Sequence, residues 1–183
     1  MTPASRYLLD SDVLITAKNR YYAFDICPGF WRSLLHHHGN GRVFSIDRVR
    51  NELLAGGKTE DLVRWVSDQL PGSFFLEADQ ENVATVYTEI MLWAQRNPRY
   101  FDYAKAKFAT GADGWLVAYA KIHGAVVVTN EQPAPESKRE IKLPDVCSQF
   151  GVKYSDTFLM LRELGVRLDL VGATGHIDFK APA

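Results

Sequence analysis

The chain has 183 residues, 46% hydrophobic, 12% aromatic and 23% charged, which suits one domain with one core and excludes intrinsic disorder and low-complexity architectures. Lys+Arg 21 against Asp+Glu 22 leaves a formal net charge of −1. The surface as a whole therefore cannot act as a polycationic sleeve for nucleic acid, and any phosphate-binding surface must be local.

The opening MTPASRYLLDSD has no apolar signal core, and no stretch reaches the roughly 20 apolar residues of a spanning helix. A soluble cytoplasmic protein is expected, with no membrane contact. Cys27 and Cys147 stand far apart in no metal-binding spacing and are expected as buried free thiols. Strands are predicted at RYLL (6–9), RVFSI (42–46), SFFLE (73–77), AVVVT (125–129) and VKY (152–154). Runs so uniformly apolar are usually buried on both faces, and their alternation with helices argues for a covered parallel sheet.

Between the strands, Ser45 or Asp47 caps a helix through Val49, Leu53 and Leu54 that stops at Gly56-Gly57. Amphipathic helices are predicted over 60–70 and 80–95. Another runs from Ala112-Asp113 to Gly124, and a last over 156–164. HHHGNGR (36–42) and EQPAPESKRE (131–140) are predicted as surface loops, the triple histidine as a solvated one.

Four acids fall beside these elements. Asp10 ends the first strand, Glu52 follows the second, Asp113 opens the helix into the fourth, and Glu131 follows the fourth. Groups just past the carboxyl ends of parallel strands converge on a crevice at the topological switch point. Crowded carboxylates must protonate or find a cation, and oxygen-only ligands suit Mg²⁺ or Mn²⁺ rather than zinc. Any one of these acids alone could equally be a helix cap or a surface charge; their joint placement is the signal.

At these residues the sequence resembles the PIN (PilT N-terminus) domain nucleases. YLLDSDVLI is similar to that family's opening strand, DRVRNELLAG to its Glu-bearing helix, and ATGADGWLVAYAKIHGAVVVTNE to its Asp-headed helix, Gly stop and Thr-ended strand. KLPDVCSQFGVKY is similar to the ending of one PIN-like branch. The resemblance covers about residues 6–160, leaving a C-terminal helix and tail over 156–183. It implies a single-domain α/β three-layer sandwich with a parallel sheet of about five strands in the order 3-2-1-4-5 and helices on both faces. It further implies that Asp10, Glu52 and Asp113 bind metal and take part in catalysis. For the fourth acid Glu131 stands where Asp is common, with Asp145 as the alternative. Ser11 and Thr129 are implied as hydroxyls supporting the ligands or capping strand ends, and Asp12 as an orienting group or a turn residue.

Such sites cut phosphodiesters with Mg²⁺- or Mn²⁺-activated water, and many small PIN proteins are homodimeric toxins neutralised by an antitoxin. For the RNA substrate, RNPRYFDYAKAKF (96–108) places Arg96, Arg99, Lys105 and Lys107 among Tyr100, Phe101, Tyr103 and Phe108, a composition that suits unpaired or looped RNA. An ordinary amphipathic helix with a solvated basic face is the other reading. Arg48 is a weaker phosphate contact.

Two rival functions stand. LLDSDVL also resembles the nucleophile motif of haloacid-dehalogenase-like phosphatases, with Asp10 as nucleophile. That reading finds no later acidic motif after Thr129 and leaves Glu52 and Asp113 unexplained. The other rival is a non-catalytic PIN-like module that binds RNA or protein.

Overall fold

The computed structural model describes residues 5–55 and 60–169. In chain order it contains β1 (Tyr7–Leu9), α1 (Ser11–Thr16), α2 (Pro28–Gly39), β2 (Val43–Ile46), α3 (Asp47–Leu54), α4 (Asp61–Asp68) and β3 (Phe75–Leu76). There follow α5 (Glu81–Arg96), α6 (Asp102–Thr110), α7 (Asp113–His123), β4 (Val126–Val128), α8 (Leu143–Phe150), β5 (Tyr154–Ser155) and α9 (Thr157–Glu163). A π-helical turn, Ala17–Tyr21, prolongs α1, and a 3₁₀ turn, Gly72–Phe74, leads into β3.

All strand pairs are parallel, and the sheet order is β3-β2-β1-β4-β5, as the PIN resemblance implied. In the centre, β1 aligns Tyr7 with Val43 and Val126, and Leu9 with Val128. Successive side chains of a strand face opposite sides, yet Tyr7, Leu8 and Leu9 are all buried. The sheet is therefore covered on both faces. From β1 the chain leaves toward β2 on one side, while β4 joins on the other, so the switch point lies between the carboxyl ends of β1 and β4.

Local chemistry explains the elements that frame this point. Gly124 adopts φ +63° and ends α7, its N–H donating to Ala120 O. Only a residue tolerant of the left-handed region can turn the chain there straight into β4. Ser45 is not the cap of α3, because its hydroxyl is buried and donates to Leu9 O at 2.6 Å, joining β2 to β1. Asp47 opens the helix, and its carboxylate accepts from Arg48 N and, at 3.3 Å, Ala78 N beyond β3. The Gly56-Gly57 stop and the tail after 169 lie outside the described residues.

Three elements differ from the sequence-based expectations. His36, His37 and His38 form the last turn of α2 rather than a loop, and the His38 ring bridges Val43 O and Ser73 Oγ, each at 3.0 Å. Buried Phe30, Trp31 and Leu34 fix that helix, and the polar bias of the histidines masked their spacing. α8 begins on Leu143-Pro144 with the proline in its first turn. Its Gly151, at φ +68°, places β5 on Tyr154–Ser155 rather than 152–154. Segment 131–140 carries no helix or strand, as expected.

Gly124→Ala is expected to destabilise the protein by about 1 kcal/mol, the strain of a Cβ at positive φ. Gly39→Ala, in ordinary helical backbone with open space around its Cβ, is expected to leave stability unchanged or raise it by a few tenths of a kcal/mol. Urea unfolding midpoints check the opposite signs.

Candidate active site

Asp10 is the first residue beyond β1, and its N–H donates to Val128 O of β4. The side chain sits at the switch point with only 5% exposure. Thr129, just past β4, donates its hydroxyl to Asp10 Oδ2 at 3.0 Å and accepts the Glu131 N–H at 3.2 Å. Ser11 Oγ donates to Glu52 Oε2 at 2.9 Å, with Asp10 Oδ1 at 3.4 Å as its weaker partner. The other Glu52 oxygen accepts the Ala112 N–H at 2.8 Å, directly before Asp113. Four remote segments are thus stitched together: the exits of β1 and β4, the middle of α3, and the start of α7.

Glu52, Asp113 and Glu131 line one cleft of about 330 Å³, with Lys107, Glu140 and Lys142 along its wall; Asp10 lies behind them. The acids act on one another electrostatically. The Asp10 carboxyl is pushed up to about 7, first by burial and then by the charge of Asp12, with Glu131 and Glu52 adding to it and the Thr129 hydrogen bond opposing. Asp113 is also raised well above the carboxylate range, by burial and then by Asp10, Glu131 and Glu52, with Lys107 opposing. Under them Cys147 is a buried free thiol pushed up to about 12, mainly by burial and further by Asp113 and Asp10. Cys27, the other free cysteine, is only half-buried rather than buried as expected.

The remaining residues singled out in the sequence separate by partner. Asp12 accepts the Asn130 N–H at 2.9 Å and the Thr16 hydroxyl at 2.8 Å, so it ties the β4 exit to α1. Both Glu131 oxygens are engaged, Oε1 by Lys142 Nζ at 3.2 Å and Oε2 by Leu143 N at 2.9 Å. Asp145 accepts from Ala134 N and does not line the cleft. Of the basic strip, Lys107 alone reaches the cleft wall. Arg99 donates to Pro135 O, Lys105 to Gln95 O, and Arg96 lies in the exposed last turn of α5. Tyr100 and Phe108 are core, while Phe101 and Tyr103 are exposed. Arg48 lies over the Trp115 ring and pairs with Asp47 and Asp79.

A family described as "Domain of unknown function (DUF4411)" matches residues 7–168. The chain belongs to the DUF4411 family. Among solved structures, this DUF4411 chain is similar to one described as FitAB bound to an IR36 DNA fragment. Identity is 21% over 82% of this chain and 94% of that chain, with a TM-score of 0.50, a likeness of fold. No curated protein matches the sequence.

Sequence reading missed Lys142 and Glu140 in the DUF4411 site. Their signal was the alternation of Glu140-Ile141-Lys142-Leu143, in which Ile141 and Leu143 are buried while the more exposed Glu140 and Lys142 line the cleft beside Ile141. That is the period-2 pattern of an extended segment with one face inward. Among the described residues, no group of three His, Cys, Asp or Glu side chains is drawn together as a preformed metal-ligand set. Glu52, Asp113 and Glu131 share the cleft without closing on one point.

The raised Asp10 and Asp113 carboxyls give stability a definite pH dependence. Each binds a proton in the folded state that it has lost in the unfolded chain at the same pH, so for Asp10 stability falls as pH rises from about 4 to about 7. In EDTA, Asp10→Asn is expected to melt higher than the parent, with an advantage that grows from pH 5 to pH 8. Thermal melts of the two proteins across that range check the trend.

Proposed function

We propose that this protein is a PIN-like endoribonuclease that hydrolyses phosphodiester bonds of single-stranded or looped RNA with Mg²⁺ or Mn²⁺. One observation supports the reading: Glu52, Asp113 and Glu131 line one cleft, Ser11 links Asp10 to Glu52, and Asp10 and Asp113 are buried acids raised in the field of Glu52 and Glu131. Acids packed at such cost are characteristic of functional sites. The donor set fits a hard divalent cation, since the residues facing one another are oxygen ligands and a cation would relieve their repulsion.

Asp10, Glu52 and Asp113 would hold the ion. When bound, a divalent cation lowers the pKa of water and neutralises charge gathering on the scissile phosphate. The protein's own hydroxyls orient the ligands: Thr129 fixes one Asp10 oxygen and Ser11 fixes Glu52. Glu131 shares the field but has both oxygens committed, so it serves as a charge near the site and as the anchor of Lys142 and of α8. That commitment also favours the second reading, a PIN-like module that binds RNA or protein without cutting.

The resemblance extends to biology as a proposal: a cytoplasmic protein acting as a homodimer, in the manner of a toxin held by an antitoxin. No helix among the described residues is long and apolar enough to cross a membrane.

Purified protein with structured RNAs and Mn²⁺ is expected to cleave loops, leaving 5′-phosphate and 3′-hydroxyl ends. Asp10→Asn and Asp113→Asn are expected to lose about 100-fold or more in rate. Thr129→Val is expected to lose about tenfold. Cleavage retained by both aspartate variants, or absent from every RNA, contradicts the nuclease. Phosphate release from p-nitrophenyl phosphate that Asp10→Asn abolishes would instead point to a phosphatase.

A further inference from the structure

On the cleft wall four side chains alternate in sign. Lys107 Nζ lies 3.3 Å from Glu140 Oε1, Lys142 Nζ lies 2.7 Å from Glu140 Oε2, and Lys142 continues to Glu131 Oε1 at 3.2 Å. Glu140 thus places one oxygen on each of two ammonium groups. A phosphodiester has the same charge of −1 and likewise presents two non-bridging oxygens. The Glu140 carboxylate therefore occupies the cleft wall in the way a backbone phosphate would.

We propose that Lys107 and Lys142 form a clamp for one backbone phosphate of the substrate RNA, and that Glu140 holds both ammonium groups in place until the phosphate displaces it. The proposal rests on the reading of the cleft as an RNA-cleaving site and adds the residues that seat the strand.

The energetics permit the exchange. The Lys107 side chain is 76% exposed and the Glu140 side chain 44%, and ion pairs this exposed are weak, so the Lys107 contact opens readily, while the 2.7 Å Lys142 contact is the one the phosphate must replace in kind. Lys142, at 25%, is the fixed half of the clamp: Glu131, itself tied to Leu143 N, anchors it from the other side. Once displaced, the Glu140 carboxylate, already 44% exposed, turns to solvent, where its charge is screened. Lysine also suits a phosphate approached as a point charge. The lysines lie beside the acids rather than among them, which lets a strand be gripped while a neighbouring phosphate rests over Asp113 and Glu52.

The test is the salt dependence of binding to a short fluorescent single-stranded RNA with Mg²⁺ present, in full-length Asp10→Asn protein so that the strand stays intact. Lys142→Gln and Lys107→Gln are each expected to weaken binding about five- to tenfold and to make the slope of log affinity against log salt shallower by a share of the roughly 0.7 expected for one phosphate contact on a single strand, the double variant losing all of it. Glu140→Gln is expected to tighten binding about threefold, because both lysines are freed from their ion pairs with Glu140. Lys107→Gln leaves the Glu131 anchor intact, so it tests the clamp even if Lys142→Gln disturbs folding. Unchanged slopes in both lysine variants, or weaker binding in Glu140→Gln, would overturn the clamp and leave the four charges a structural strap. Slopes that shift as expected in a protein that cleaves no RNA would keep the clamp and discard the nuclease. Cleavage with unshifted slopes would discard the clamp alone.

Discussion

The arrangement depends on one buried carboxylate. Asp10 stands where the central strand ends, with 5% of its surface exposed and other acids around it. Burial of a charge without a cation is among the costliest things a fold can do. Thr129 offsets part of that cost by donating to one oxygen, and what remains shows as a carboxyl pushed up to about 7. Around that residue the exits of β1 and β4 must be adjacent, which requires the crossover order of the sheet and the sharp turn at Gly124.

The protein manages the rest of its charge by position. Glu131 is screened by Lys142 and Leu143 N, and Glu140 by two lysines that hold its carboxyl below the usual range, the Lys142 hydrogen bond first. Among the described residues, Asp10 and Asp113 form no such ion pair, and Lys107 is the cation that relieves Asp113. The result is a floor of under-compensated acids and a wall of paired charges. A net charge of −1 thus conceals an uneven distribution, with an acidic floor beside a wall whose charges cancel in pairs. It ruled out binding across the whole surface, and it is compatible with a cleft.

Much of the frame was legible because its signals are local. Apolar runs marked each of the five strands, and Gly124 marked the end of α7. The acids were singled out because strand-end positions converge in any parallel sheet. What escaped depends on tertiary context. The histidines at 36–38 looked solvated, yet His38 joins β2 to the turn before β3. Arg99 and Lys105 have the composition of a phosphate grip, but their donors are committed to Pro135 O and Gln95 O. No sequence pattern foretells such partners. Lys142 went unnoticed because its alternating segment is only four residues long.

The central claim is that the Asp10 group is a cation site whose proton is expelled when the ion binds. Calorimetric titration of Mn²⁺ at pH 6 in buffers of different ionisation enthalpy measures that proton directly. Release of most of one proton per bound ion, lost in Asp10→Asn, is the expected result. Binding without proton release, or no binding at all, would contradict it.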